Sequence, residues 1–297
     1  MRGSMILVTA VMSTAACTGG DATRDSAVQN AVPDLSDSQT VEAGQRATCA
    51  LLMDGEIYCW GTTTWGATLF PPGQFSQLSF GENFACAQDS NSALSCWGYR
   101  YSDPSDGIDP PPADSFRSFR VGSEHACGIR DSDGRLICWG YSSDAWENPP
   151  EMDFSVVAPG SGETCALDTE GIVHCWGRNP DSLVVTDSPP GIFIDVVAAF
   201  YVACALRADG TASCWGPDSD PQSTPEGPFQ SIFAGPAYIC GILVSGQATC
   251  WGRFSPGEPP TGAYTHLSGG TTHACGQLEG GELACWGDDS DGQSSIP

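Results

Sequence analysis

Short stretches in which apolar and polar residues alternate recur along the chain. At Leu78 and Phe80 every second residue is apolar, and a period of two is typical of a β-strand with one buried face. A second strand runs through a Cys-Ala-Leu segment such as 49–51, and a third ends in Cys-Trp-Gly, as at 59–61. Proline-rich segments such as 110–112 follow, so any fourth strand there must be short and at an edge. The pattern predicts an all-β protein.

The cysteines divide this pattern into seven repeats. Fourteen of the 15 cysteines form pairs, six of them ten residues apart and one eleven apart, and Trp-Gly follows the second cysteine each time. First cysteines recur every 35 to 41 residues, a period typical of solenoids, arrays and propellers. The outer repeats lack the polar caps that a linear solenoid needs, so we predict a closed seven-bladed β-propeller. The predicted pairs are Cys49 with Cys59, Cys86 with Cys96, Cys127 with Cys138, Cys165 with Cys175, Cys204 with Cys214, Cys240 with Cys250, and Cys275 with Cys285.

The spacing within a pair predicts a hairpin closed by a disulfide. If Cys49 faces Cys59, the loop is 53–55, and Gly55 occupies the left-handed position that such loops favour. The cysteines then form a non-hydrogen-bonded pair, with Cα atoms about 4.5 Å apart, which a disulfide accepts. Zinc sites have closer ligand spacing, and no CxxC occurs. Structural disulfides are therefore favoured over metal ligands and reduced core thiols.

The first residues have the features of an export signal. Arg2 is followed by an apolar stretch, 5–12, and by small residues before Cys17, as in a bacterial lipoprotein signal in which that cysteine is acylated. The alternative is ordinary secretory cleavage that leaves Cys17 as a free thiol. We expect a signal peptide at 1–16, a flexible tether at 17–37 and the propeller at 38–297. The residue after Cys17 is not Asp, which by lipoprotein resemblance favours the outer membrane.

Composition excludes several functions. The chain has 11 Lys and Arg against 36 Asp and Glu, a net charge of −25. No basic face for nucleic acid can be assembled, and an anionic membrane surface would repel the protein. No apolar run reaches the roughly 18 residues of a membrane span. The cysteine content is that of an exported protein. Contact with a membrane is therefore expected only through Cys17.

The repeat resembles that of the regulator-of-chromosome-condensation family. The pattern Gly-x-x-x-x-Cys-Ala-Leu, a glycine turn and Cys-Trp-Gly is similar in particular to the short, cysteine-containing form in bacterial surface lipoproteins, and it covers 38–297. His125 and His273 match a family position, whereas the Gly-Gln after Trp-Gly survives only as 292–293. The resemblance implies a propeller that acts as a binding scaffold, without naming a ligand.

Candidate catalytic and metal-binding residues are few. The four histidines, His125, His174, His266 and His273, are expected to be structural or at the surface. No Gly-x-Ser-x-Gly, Walker or His-Glu-x-x-His motif occurs. Segments 131–134 and 288–292 resemble calcium loops in part but lack the distal Glu, and Asp and Ser are ordinary turn residues. We expect no cofactor, metal or enzymatic activity.

The segments after Trp-Gly differ between repeats and are the expected recognition elements. Aromatic residues that the repeat does not demand are candidates for partner binding. We expect a monomer that binds a protein or glycan, and its acidity favours a basic partner. The alternatives are a carbohydrate-active hydrolase with carboxylates in the channel, or a structural envelope component. The candidate residues are Trp65, Tyr99, Tyr101, Tyr141, Trp146 and Phe254.

Overall fold

The chain folds as seven small antiparallel sheets. The computed structural model describes residues 32–62, 70–98, 110–140, 149–177, 188–200, 202–217, 225–253 and 255–297, and Pro33–Pro297 form one compact unit. In the described residues each sheet has three strands, all from one repeat and in chain order. The predicted all-β, seven-bladed propeller is confirmed. A fourth edge strand would fall between the blades, in segments largely outside the described residues.

Each blade is a meander of three short strands. A 3-10 turn, Leu35–Asp37, precedes the first blade. Blades 1 to 4 are formed by β1 (Ser38–Ala43), β2 (Ala47–Leu52), β3 (Ile57–Gly61); β4 (Phe75–Phe80), β5 (Phe84–Asp89), β6 (Leu94–Gly98); β7 (Phe116–Val121), β8 (His125–Arg130), β9 (Leu136–Gly140); β10 (Phe154–Pro159), β11 (Glu163–Asp168), β12 (Val173–Gly177). Blades 5 to 7 are formed by β13 (Asp195–Ala198), β14 (Ala203–Leu206), β15 (Ala212–Trp215); β16 (Phe229–Ala234), β17 (Ile239–Leu243), β18 (Ala248–Trp251); β19 (Tyr264–Gly269), β20 (His273–Leu278), β21 (Leu283–Gly287).

Connections between strands alternate between the two faces of the ring. The turns from first to second strand, 44–46 in blade 1, lie on one face, here called the turn face. The turns between paired cysteines, 53–56 in blade 1, lie on the other, the hairpin face. The third strand returns to the turn face, where the Thr62 amide donates to the Arg46 carbonyl at 3.0 Å. Every segment after Trp-Gly therefore starts on the turn face.

The hairpins have the geometry predicted from the cysteine spacing. In blade 1 the Leu52 amide donates to the Glu56 carbonyl at 2.8 Å, and Gly55 has φ +86°. Ser92, the one departure from glycine among the ten-residue pairs, adopts φ 65° at the same place. The turn residues thus take the left-handed conformation that the loop length requires.

Each of the seven cysteine pairs forms a disulfide within its own hairpin. The Cα atoms of the paired cysteines are 4.0 to 4.1 Å apart, slightly closer than the expected separation. Each disulfide braces one blade and links none to its neighbour. The bonded pairs are Cys49 with Cys59, Cys86 with Cys96, Cys127 with Cys138, Cys165 with Cys175, Cys204 with Cys214, Cys240 with Cys250, and Cys275 with Cys285.

The hydrophobic core consists of seven clusters, one at each seam between adjacent blades. At the seam of blades 1 and 2, Cys49 and Leu51 pack against Leu78, Phe80 and Trp97. The same arrangement recurs at the other six seams. The seven Trp-Gly tryptophans are therefore packing residues, with the cysteines of one blade facing the tryptophan of the next.

The ring closes at the seam of blades 7 and 1 without exchange of strands among the described residues. The Ala43 amide donates to Ser268 Oγ at 2.9 Å, and Cys275 lies in one cluster with Val41 and Trp60. The last residues cover this seam. Gln293 is fully buried, and its carbonyl accepts from the Thr48 hydroxyl at 2.9 Å.

The glycine five residues before the first cysteine allows neighbouring blades to approach closely. A Cβ on Gly81 would lie 1.9 Å from the Gly122 carbonyl oxygen, and one on Gly122 would lie 2.4 Å from that of Gly160. At Gly270 the Cβ would lie 2.3 Å from the Gly44 carbonyl oxygen. Backbone occupies the place of a side chain, so these glycines bring the turn-face ends of the first strands together.

Candidate functional site

A cavity of about 320 Å³ lies among the turn-face ends of the first strands, in the central channel. Every blade contributes to its lining the residue two positions before the repeated glycine or its equivalent, and these seven residues form what we call the channel layer. In blade order the channel layer is Glu42, Ser79, Arg120, Ala158, Val197, Phe233 and Ser268. The channel layer has consecutive polar residues in blades 7, 1, 2 and 3, and consecutive apolar residues in blades 4, 5 and 6.

The two serines of the channel layer join blades. Ser79 Oγ accepts from the Val121 amide at 3.0 Å, as Ser268 Oγ accepts from Ala43 at the ring closure. Each serine thus satisfies the inner-strand amide of a neighbouring blade, which would otherwise face the channel unpaired. Their hydroxyl oxygens are engaged, and the charged residues of the layer remain for other interactions.

Glu42 is the acidic residue of the channel layer. Its Oε2 accepts from Ser268 Oγ at 3.2 Å, its Oε1 accepts from Thr40 Oγ1 at 3.4 Å, and His266 Nε2 lies 3.4 Å from Oε1. The carboxylate lies between the serine and the histidine. A serine nucleophile needs the histidine as its immediate neighbour, so this is not the order of a catalytic triad.

Arg120 is the basic residue of the channel layer. Its side chain is exposed, and among the described residues it forms no ion pair within 4 Å. Asp195 is the nearby acid that interacts with it. Burial raises the pKa of Asp195, and the Arg120 charge opposes that shift. Arg120 is therefore an available cation in a strongly acidic protein.

A second acidic residue, Glu82, lines the cavity at its mouth. Burial raises the pKa of Glu82, and the charge of Glu124 raises it further, while hydrogen bonds from Ser123 and Gln45 act in the opposite direction. Gln45 Nε2 lies 3.4 Å from Glu82 Oε1. The acid at the mouth is thus held by groups from the blades on both sides.

In blades 3 and 7, the histidine two positions before the first cysteine connects its blade to the next. His125 Nε2 lies 2.7 Å from Thr164 Oγ1, and His273 Nε2 lies 2.9 Å from Thr48 Oγ1. Both histidines are fully buried, as a structural role requires. Burial lowers the pKa of His273 to about 4, although Asp288 and Asp289 oppose the shift.

In blade 4 the same position carries Glu163. Its Oε1 is buried and has no hydrogen-bond partner in the described part of the chain. The two histidines bond to a threonine directly before the first cysteine of the next blade, and in blade 5 that residue is Ala203. Burial raises the pKa of Glu163 to about 7. No motif in the sequence marks Glu163. The available signal is its alignment with Ala47, Phe84 and Val202 in other repeats, all apolar.

The other histidines lie apart from each other. His174 Nε2 is 2.9 Å from Asp168 Oδ2 on a partly exposed region of blade 4, and His266 packs edge-on against Phe233 with ring centroids 5.2 Å apart. Neither lies beside a thiol nucleophile in the described residues, where all 14 cysteines are in disulfides.

The aspartates of the segments that resemble calcium loops already have hydrogen-bond or ion-pair partners within the protein. Asp288 accepts from Ser290 N at 3.2 Å, and Asp289 Oδ2 accepts from Ser295 Oγ at 2.6 Å; these bonds lower the pKa of both carboxyl groups. Asp133 pairs with Arg130. In the part of the chain that the structure describes, no group of three or more His, Cys, Asp or Glu is arranged to hold a metal.

The predicted recognition residues and the lipidation residue lie outside the described residues. These are Trp65, Tyr99, Tyr101, Tyr141, Trp146 and Phe254, together with Cys17. The described residues that flank them, such as Gly98 and Gly140, end third strands on the turn face. No helix in the described ranges has the length and apolarity needed to cross a membrane.

Solved structures with a similar fold include receptor ectodomains. The CRINKLY WD40 ectodomain of the Arabidopsis thaliana receptor kinase ACR4 is 26% identical, with a TM-score of 0.69, over 84% of this chain and 93% of that one. The entire ectodomain of the Physcomitrella patens receptor kinase CR4 is 24% identical, with a TM-score of 0.72, over 84% of this chain and 72% of that one. Prp20p from Saccharomyces cerevisiae, studied for its binding to Gsp1p and histones, is 14% identical, with a TM-score of 0.64, over 86% and 84%.

A comparison of sequences finds a relative that matches part of the chain. The serine/threonine-protein kinase-like protein CCR2 of Arabidopsis thaliana is 28% identical over 167 residues, which are 46% of this chain and 21% of that protein. The match therefore spans about a fifth of the relative's length. No protein-family model matches the chain.

Together these findings define a class. The fold is a propeller like that of the regulator of chromosome condensation, and similar solved structures include two receptor-kinase ectodomains. The seven disulfides and the ectodomain neighbours indicate an exported or extracellular protein.

Proposed function

We propose that this protein is a surface-tethered propeller that binds a basic protein partner through its turn face and catalyses no reaction. The observation that carries the proposal is topological: the strands and hairpins repeat seven times, whereas the segments that differ in length and aromatic content all start on the turn face. Repeated elements offer nearly the same chemistry in every blade, so specificity must come from the segments that vary. The ectodomain neighbours support a binding role.

The acidity of the chain supports a basic partner. The net charge is −25, and a complementary charge on the partner accelerates association and disfavours acidic competitors. Charge attraction across a solvated rim weakens with salt, so association should be salt-sensitive. A protein is favoured over a glycan because the acidic surface adds nothing to recognition of a neutral sugar. We expect the protein to act as a monomer.

Binding measurements on the full chain in mild detergent test the site. A partner captured from an envelope extract is titrated against the parent and against Trp65→Ala and Trp146→Ala, with Met53→Ala as the control, since Met53 is 64% exposed on the hairpin face. Each tryptophan variant should weaken binding by about 2 kcal/mol or more, with unchanged melting. If both tryptophan variants melted at a lower temperature than the parent, Trp65 and Trp146 would be packing residues. If Met53→Ala lost as much affinity as the tryptophan variants, the binding site would lie on the hairpin face.

The tether is a separate part of the proposal. We infer that Cys17 is acylated and anchors the protein at the outer membrane of a bacterial envelope. Cys17→Ser should release the protein from the membrane fraction while leaving its melting temperature unchanged. Unchanged fractionation would show that the anchor lies elsewhere.

A further inference from the structure

The channel layer has two chemically different halves. Ser268, Glu42, Ser79 and Arg120 come from four consecutive blades, and Ala158, Val197 and Phe233 come from the next three. A polar arc therefore faces an apolar arc across one cavity. Small-molecule sites combine such an apolar wall with a few placed polar groups. The cavity of about 320 Å³ falls near the lower end of the usual range, roughly 300–1,000 Å³.

The polar arc presents one anion and one cation. The oxygens of Ser79 and Ser268 are already bonded to backbone amides, so Glu42 and Arg120 are the charged groups of the channel layer that can meet a ligand. Glu82 also lines the cavity, at its mouth. They belong to blades 1 and 3, with only Ser79 of blade 2 between them. Glu42 is held in place by Ser268 and Thr40, and His266 Nε2 lies 3.4 Å from its Oε1. Arg120 interacts with Asp195 but lacks an ion pair within 4 Å among the described residues. A ligand could thus engage both without breaking an ion pair between them.

We propose that this cavity binds a small zwitterion with an apolar substituent, of the free apolar α-amino acid type. The ammonium group lies against Glu42, the carboxylate lies against Arg120, and the apolar side chain packs on Phe233, the half-buried member of the apolar arc. Ala158 and Val197 are buried in the seams behind this wall. A zwitterion has no net charge, so the overall charge of −25 does not repel it as it repels a simple anion. The charge-assisted hydrogen bonds on both sides supply orientation. This site is separate from the macromolecular partner proposed above.

Calorimetric titration of the full chain tests the three contacts separately. The probes are L-leucine, L-leucinamide, which lacks the carboxylate, N-acetyl-L-leucine, which lacks the ammonium group, and glycine, which lacks the apolar side chain. Leucine should bind, and each of the others should bind at least about tenfold more weakly. Arg120→Gln should remove the preference for leucine over leucinamide. Glu42→Gln should remove the preference for leucine over N-acetyl-leucine.

Matched controls separate binding from folding. Arg117→Gln changes an arginine three residues earlier in the same strand that does not line the cavity, and Glu56→Gln changes an acid on the hairpin face; neither should alter the preferences. If Glu42→Gln unsettles the seam of blades 7 and 1, Arg120→Gln still tests the site, because the exposed Arg120 side chain forms no hydrogen bond among the described residues. No binding of leucine at millimolar concentration would overturn the proposal. So would equal binding of leucine and N-acetyl-leucine, or preferences that survive both variants.

Discussion

At the scale of single residues, the close approach of blades depends on the absence of one methyl group. Gly81→Ala would place a Cβ 1.9 Å from a backbone oxygen of the next blade, and backbone there cannot move without opening the seam. We expect a loss of stability of about 2 kcal/mol or more, measured by denaturant unfolding without reductant. Gly162→Ala is the control, since its Cβ would meet nothing within 4 Å. Equal effects of the two variants would contradict the packing argument.

Glu163 should make stability depend on pH. Its folded pKa of about 7 lies above the unfolded value of 4.5, so its contribution to stability is fully present below pH 4.5 and is lost as the pH rises through 7. Glu163→Gln, which mimics the protonated acid, should therefore match the parent at pH 4.5 and exceed its stability at pH 8 by about 1–3 kcal/mol.

The difference between parent and variant isolates Glu163, because His273 acts in both. His273 has a lowered pKa, so its contribution is present above pH 6.5 and is lost as the pH falls through about 4, in the opposite direction. Glu170→Gln, in the exposed hairpin of the same blade, should show no such pH-dependent gain. If the difference in stability between Glu163→Gln and the parent stayed constant from pH 4.5 to 8, burial would not raise the pKa of Glu163.

At the scale of the strand and hairpin, the left-handed turn position offers a reciprocal test. Ser92 has φ 65°, whereas Gly246 occupies the same position of blade 6 with φ +84°. An L side chain is strained there, so Ser92→Gly should raise stability by about 0.5–1 kcal/mol and Gly246→Ser should lower it by a similar amount. Thermal melting of the two variants beside the parent measures both shifts. Shifts of the same sign would mean that side-chain contacts, and not backbone strain, determine the change in stability at this position.

The hairpins were predictable from sequence because their determinants are local. Cysteine spacing, a turn glycine and alternating apolar residues lie within about a dozen residues, and strand registers such as Cys49 opposite Cys59 follow from them. The channel layer was not predicted, because it assembles residues about 38 positions apart in sequence. Arg120 and Glu42 look like ordinary solvated strand residues until seven strands are placed around one axis. Only alignment of the repeats on their glycine could have revealed them.

At the scale of the whole molecule, the last residues act on the first blade. Gln293 is fully buried against Thr48, Ile296 packs on the cluster of Leu35 and Val41, and Asp291 pairs with Arg46 at 2.8 Å. Removal of residues 289–297 should cost about 3 kcal/mol through lost apolar burial and hydrogen bonds. The measurement is chemical unfolding with disulfides intact.

Asp291→Asn provides the control for the ion pair alone. Because Arg46 is half exposed, that variant should cost less than about 1 kcal/mol. If the truncated chain were as stable as the parent, the terminal segment would merely rest on the ring.

The absence of strand exchange in the described blades also bears on where the chain could begin. Since each blade is complete within one repeat, a circular permutant that starts at Pro149 and ends at Gly140, with the original ends of the propeller joined by a flexible linker, would keep every strand pairing and every disulfide. Apart from the loss of residues 141–148 and the added linker, only the connectivity would change. Such a permutant should show the parent's far-ultraviolet spectrum, whereas loss of its strand signal would mean that the order of synthesis, not the seams, determines the ring.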